Sequence, residues 1–152
     1  MRNFTHKMAA LALAAVALLV MAGGCGMHEG SESQLKEDAD SFAVCFYNWH
    51  FMDAARFCSP RSAAWMRYAC SNVHQADIEL LRAKEHDAQV ELEDVDFCDD
   101  DSTALVSLKV TNYYRMDSIG TEAHLVDEAH VSLPMVIEGG KWMVNLQGLP
   151  FD

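Results

Sequence analysis

From residue 89 onward apolar side chains recur at every second position, the period of a half-buried strand. Val90 and Leu92 alternate with Gln89, Glu91 and Glu93. Val95 and Phe97 then fall on the other parity, which predicts a bulge near Asp94. Cys98-Asp99-Asp100-Asp101-Ser102 reads as a turn, and Val106, Leu108 and Val110 mark a second strand. After a loop over 117–122, Val131, Leu133, Met135 and Ile137 mark a third strand. Gly139-Gly140 supplies a hairpin turn, and Trp142, Val144 and Leu146 a fourth strand. Pro134 lacks a backbone donor, so it predicts an edge strand or a nitrogen turned away from its neighbour.

Ahead of the strands the period is three to four. Ala39, Phe42, Phe46, Trp49 and Asp53 share one stripe flanked by Cys45 and Met52, predicting a first helix that begins near Ser33. Residues 53–58 read as a short second helix. Ser59-Pro60 fits an N-cap with proline at the first position of a third helix, which carries Ala64, Trp65, Tyr68 and Ala69 and continues to Ile78, Leu81 and Arg82. Ser71-Asn72 predicts a break within it, because both residues bond the backbone outside helices. The expected class is α+β: three N-terminal helices on an antiparallel sheet of four or more strands.

The first 24 residues are of another kind. They contain Arg2 and Lys7, no acidic residue, and an apolar run from Met8 to Ala22. That is the design of a secretory signal, and the run is shorter than the ~20 residues of a bilayer span. The alternative is an uncleaved N-terminal anchor. Of the 152 residues, 128 remain beyond the signal, enough for one domain. Of 11 Lys and Arg, nine remain after Arg2 and Lys7, against all 23 Asp and Glu, a net charge of −14. Such a chain repels nucleic-acid phosphates and anionic lipid headgroups, so membrane attachment must be covalent or hydrophobic.

Ala22-Gly23-Gly24-Cys25 resembles the lipobox of bacterial lipoproteins. The resemblance implies cleavage before Cys25 and acylation of its sulfur, with enough acyl chains for stable anchoring. Ala22 departs from the leucine usual three residues before that cysteine, and an ordinary signal cut after Ala22 is the competing reading. Residues 26–33 are polar and glycine-containing and read as a tether, so the lipidated cysteine and tether together span 25–33. Acylation leaves Cys45, Cys58, Cys70 and Cys98, which suit disulfides in an oxidising compartment or buried free thiols. They show no zinc spacing.

A second resemblance is carried by F-Y-N-W-H-F-M-D-A-A-R-F-C-S-P (46–60) and by the closing hairpin E-G-G-K-W-M-V-N-L (138–146). Both are similar to the nuclear-transport-factor-two-like superfamily, the cystatin-like fold shared with ketosteroid isomerase and polyketide-cyclase-like proteins. The likeness covers roughly residues 34–148 in element order, and the domain it implies runs over 34–152. It implies a curved sheet wrapped as a cone around a long helix, with a pocket at its mouth. Catalytic members place an Asp base and Tyr or Asp donors there. In this chain Tyr47, His50, Trp65, Tyr68, Asn112 and Tyr114 are the candidate pocket residues, and no Asp lies mid-strand on an apolar face.

The histidines form no metal pair, and no nucleotide or nucleophile motif occurs, so no metal site or cofactor is implied. Asp94, Asp96, Asp99, Asp100 and Asp101 lack the spacing of a calcium loop. The expected function is therefore a non-catalytic, membrane-anchored envelope domain binding a small apolar molecule, a peptide or a partner protein, with no nucleic acid. The alternatives are an isomerase or dehydratase using the cone pocket and a homodimer formed through the open sheet face.

Overall fold

The protein, a computed structural model, is described over residues 30–117 and 120–151. The expected signal over 1–24, Cys25 and the tether up to residue 29 lie outside the described residues. Among the described residues four helices precede four strands, an α+β order.

Ser31 starts helix α1 (Glu32–Tyr47) by accepting the Gln34 N–H on its hydroxyl at 3.1 Å, satisfying one of the helix's free donors. Leu35, Ala39, Phe42, Ala43, Phe46 and Tyr47 follow the three-four period and are all buried against the sheet. The helix stops because Trp49 adopts a left-handed backbone, φ 61°. The Trp49 N–H returns to the Phe46 carbonyl at 3.0 Å and the His50 N–H to Cys45 at 2.8 Å. This bond pair is usually closed by glycine at the left-handed position. Tryptophan is held there by its own ring: the indole N–H donates to the Tyr114 carbonyl at 3.2 Å, and the ring packs 5.8 Å from Phe51. The expected stripe through Trp49 to Asp53 therefore ends at Tyr47.

Helix α2 (Phe51–Ala54) runs into a 3-10 turn at Ala55–Phe57, and a second such turn at Pro60–Ser62 leads into α3 (Ala63–Ser71). The predicted break is complete: Asn72 closes α3 and extended His74 opens α4 (Gln75–Ala83), making four helices rather than three. Helix α4 carries only Asp77 as a buried residue. That carboxylate accepts the N–H of His74 at 2.8 Å and of Ala123 at 3.0 Å, tying the helix to the approach of the third strand.

Strands β1 (Gln89–Phe97), β2 (Thr103–Arg115), β3 (His124–Glu138) and β4 (Lys141–Val144) form one open antiparallel sheet in sequence order. The register shift between Leu92 and Asp94 is the predicted bulge. Cross-strand pairs Leu108–Val131 and Val106–Leu133 continue to Ala104–Met135, putting these residues on the face that α1 covers. Pro134 lies in an inner strand, with its carbonyl accepting from Asn145 just beyond the end of β4. Its nitrogen points the same way, so the pairing with β2 loses no bond.

The alternation in β2 changes phase at Asn112, which has φ 56°. Val110 is buried, Thr111 and Asn112 are not, and Tyr113 is the next residue facing inward. The opposite face is polar: Lys109 pairs with Glu91 at 2.6 Å and His130 with Glu93 at 2.9 Å. After β4 the chain turns back to the far end of α1. There Phe151 stacks on Tyr113 at 6.3 Å and packs 5.8 Å from Phe46. The Tyr47 hydroxyl donates to the Pro150 carbonyl, and Arg115 donates to the Phe151 carbonyl at 3.1 Å. Burial pushes the Tyr47 hydroxyl well above the usual tyrosine range, so it remains a donor.

Candidate functional site

The six pocket candidates do not converge. Tyr47 is a core residue under Phe151. His50 is exposed at the start of α2, with no side-chain bond capping that helix. Trp65 and Tyr68 meet edge to face at 6.3 Å and remain partly exposed on α3. Asn112 donates to the His86 carbonyl at 2.8 Å and to that of Asp87 at 3.3 Å, holding the chain that enters β1. Tyr114 lies beneath the Lys84 ammonium, 5.9 Å from its ring centre. Burial lowers the Lys84 ammonium below the ordinary lysine range, with Asp87 opposing that shift. The parity that grouped Asn112 and Tyr114 with Val106, Leu108 and Val110 fails at the phase change, where Tyr113 takes the inward position.

A marked concavity lies elsewhere, between the α2 region and α3, with a volume of about 590 Å³. Phe51, Met52 and Ala55 form one wall, and Ala63, Met66, Arg67 and Cys70 the other. Those four α3 residues repeat at three and four positions, so one helix flank supplies the whole wall. Trp65 and Tyr68 lie on the other flank of the same helix. Alanines at 55 and 63 keep the walls apart, and Cys58 belongs to the lining between them.

The Cys58 segment is stitched to the sheet. Cys58 forms a parallel bridge with Val144, and the Ser59 N–H donates to the Val144 carbonyl at 2.8 Å. Buried Ser62 donates to the same carbonyl at 2.9 Å and accepts the Leu146 N–H at 2.8 Å. Ser59 makes no cap bond for the following turn; its hydroxyl donates to Asn145 Oδ1 at 3.2 Å. These bonds fix the groove's inner edge against β4, while Met52 at its outer wall is 79% exposed.

The lining is chemically soft. Two methionines and two cysteines sit among alanine and phenylalanine, and thioether side chains adapt to irregular apolar shapes. Burial pushes the Cys58 thiol up to about 12, so it is a neutral apolar surface at physiological pH. Cys45, Cys58, Cys70 and Cys98 all stand as free thiols. Among the described residues neither an acid nor a histidine lines the groove. Arg67 is the one charged group in the lining.

Among the described residues no cluster of three or more His, Cys, Asp or Glu is arranged to hold a metal, and no helix is long and apolar enough to cross a membrane. In the acidic turn, Asp100 Oδ1 accepts from the Ser102 N–H at 3.1 Å and from the Thr103 N–H at 3.2 Å. The Ser102 hydroxyl first, then the Ser102 N–H and the Thr103 hydroxyl, hold its carboxyl below the usual range. Comparison with protein-family models, curated proteins and solved structures finds no match to this chain.

The groove was missed in the sequence because it is made by two helix flanks rather than one apolar stripe. Its signal was the run A-A-R-F-C-S-P-R-S-A-A-W-M (54–66), in which small residues recur on both sides of a proline. Small residues at a helix crossing leave room that a leucine pair would have filled.

Proposed function

We propose that this is a non-catalytic, lipid-anchored binding domain of the bacterial cell envelope, exported by residues 1–24 and acylated at Cys25. It takes an apolar molecule or an apolar peptide side in the groove between α2 and α3. The carrying observation is that groove: about 590 Å³, within the ~300–1,000 Å³ typical of ligand sites, and lined by carbon and sulfur with one cation. The α+β order and the tail-filled end of the α1–sheet sandwich are compatible with a cone of the nuclear-transport-factor-two-like kind whose mouth is occupied by Phe151. That filling supports the binding reading over an isomerase or dehydratase, since Phe151 packs against Tyr113 and Tyr47 where the resemblance would put the pocket. The polar outer face, with its Lys109–Glu91 pair, likewise supports it over a dimer made through the sheet.

The reading is tested in two halves. Cys25→Ser should move the protein from the membrane fraction to the soluble envelope fraction; retention in the membrane overturns the anchor. An environment-sensitive apolar dye should bind saturably to the native protein, and Ala55→Trp, which places an indole across the exposed wall, should abolish that binding. Dye binding that survives Ala55→Trp overturns the groove as the site.

A further inference from the structure

The charge pattern around the groove narrows the ligand class, an inference that rests on the binding reading above. Acidic side chains outnumber Lys and Arg by 23 to 11, and several cations stand beside a carboxylate. Arg56 pairs with Asp53 at 3.5 Å, Arg61 with Glu138 at 3.7 Å, and Arg115 with Asp117 at 2.9 Å. Arg67, like Arg82 and Lys84, has no such pair among the described residues, and of the three it alone belongs to the apolar lining. Ser71 lies at the same end of α3, but its hydroxyl already donates to the Tyr68 carbonyl at 2.9 Å. A ligand anion there would find Arg67 as its only charged donor.

We propose that the groove binds an unesterified fatty acid, its acyl chain between Met52, Cys58 and Met66 and its carboxylate on Arg67. The guanidinium presents paired N–H donors that match a carboxylate's two oxygens. The acyl chain meets flexible thioethers and neutral thiols, which conform to a chain of variable bend. Arg67 is the single cation of the lining, so one carboxylate per groove is the expected stoichiometry.

The experiment uses the full chain carrying Cys25→Ser, so that no covalent acyl group competes for the groove. Three probes share one tail: dodecanoate, dodecanol and dodecylphosphocholine, each titrated below its aggregation threshold by calorimetry. Dodecanoate should bind one to one and more tightly than the other two. Arg67→Met keeps an apolar stem and should weaken dodecanoate about three- to tenfold, the range for a partly solvated charged hydrogen bond, while leaving dodecanol unchanged. Ala55→Trp should abolish both, with an unchanged circular dichroism spectrum as the folding control. Equal binding of dodecanoate and dodecanol, with no effect of Arg67→Met, overturns the carboxylate assignment and leaves the apolar groove standing. Preference for dodecylphosphocholine identifies a phospholipid surface as the occupant and also overturns it. Failure of all three probes and of the apolar dye overturns the groove reading itself.

Discussion

Replacing Phe151 with alanine tests whether the last turn of the chain is part of the core. Its ring is only 7% exposed. It touches Tyr113 at 6.3 Å, Phe46 at 5.8 Å and Tyr47 at 6.5 Å, with the Arg115 guanidinium 5.5 Å above it. A buried Phe→Ala change typically costs ~3–5 kcal/mol. The lost cation–π contact adds ~0.5–1 kcal/mol, while the freedom of a tail to collapse into the gap subtracts a comparable amount. The expected loss is therefore ~3–5 kcal/mol, a large share of the ~5–15 kcal/mol that holds an ordinary domain together. In urea the midpoint should fall with the slope unchanged, and the thermal midpoint should drop by ~10–15 °C. Phe97→Ala is the internal control: its ring is 44% exposed, so its loss should be ~1–2 kcal/mol. If both variants lose less than ~1 kcal/mol, or if Phe97 costs more than Phe151, the tail is not docked and the sandwich end is open.

Three further outcomes follow from other parts of the fold. Asp77→Ala leaves the buried N–H of Ala123 and the part-buried N–H of His74 without an acceptor, so it should cost ~1–3 kcal/mol and raise hydrogen exchange in α4 before the sheet. Ser62→Ala unties the Val144 carbonyl and the Leu146 N–H together and should cost ~1–3 kcal/mol by urea denaturation; an unchanged midpoint would remove the serine from the groove's support. The Cys58 thiol, raised to about 12 when folded against an ordinary 9.0, contributes stability that is fully present below pH 9.0 and is lost as pH rises toward about 12. Cys58→Ala should flatten that alkaline decline. Iodoacetamide at neutral pH should modify exposed Cys70 and Cys98 well before Cys58, and equal rates would contradict its burial.

The strands were legible because alternation is a strong local signal, and the bulge near Asp94 was legible because it breaks that alternation within one strand. The phase change at Asn112 was not. Tyr113 and Tyr114 are adjacent and equally suited to either face, so parity carried forward from Val110 picked the wrong ring. The end of α1 was hidden for a related reason. Trp49 continues the apolar spacing, and only its contacts to Tyr114 and Phe51 show why a tryptophan occupies a position that ordinarily selects glycine. Ser71-Asn72 announced a helix break correctly because the local chemistry of those two residues suffices. The groove depended on how α2 and α3 face each other across Cys58, which no single segment encodes.

The two edges of the sheet are defended differently. Beyond β4 the chain itself lies alongside, through the Cys58–Val144 bridge. Among the described residues no strand pairs with the outer side of β1, yet it is long, and its edge is a template for another strand. Its sequence runs Glu91, Glu93, Asp94 and Asp96 along that edge, with the bulge falling in their midst. Two copies approaching edge to edge would bring these carboxylates together on a ladder already out of step. The bulge that bends β1 is thus also a guard against fibre growth.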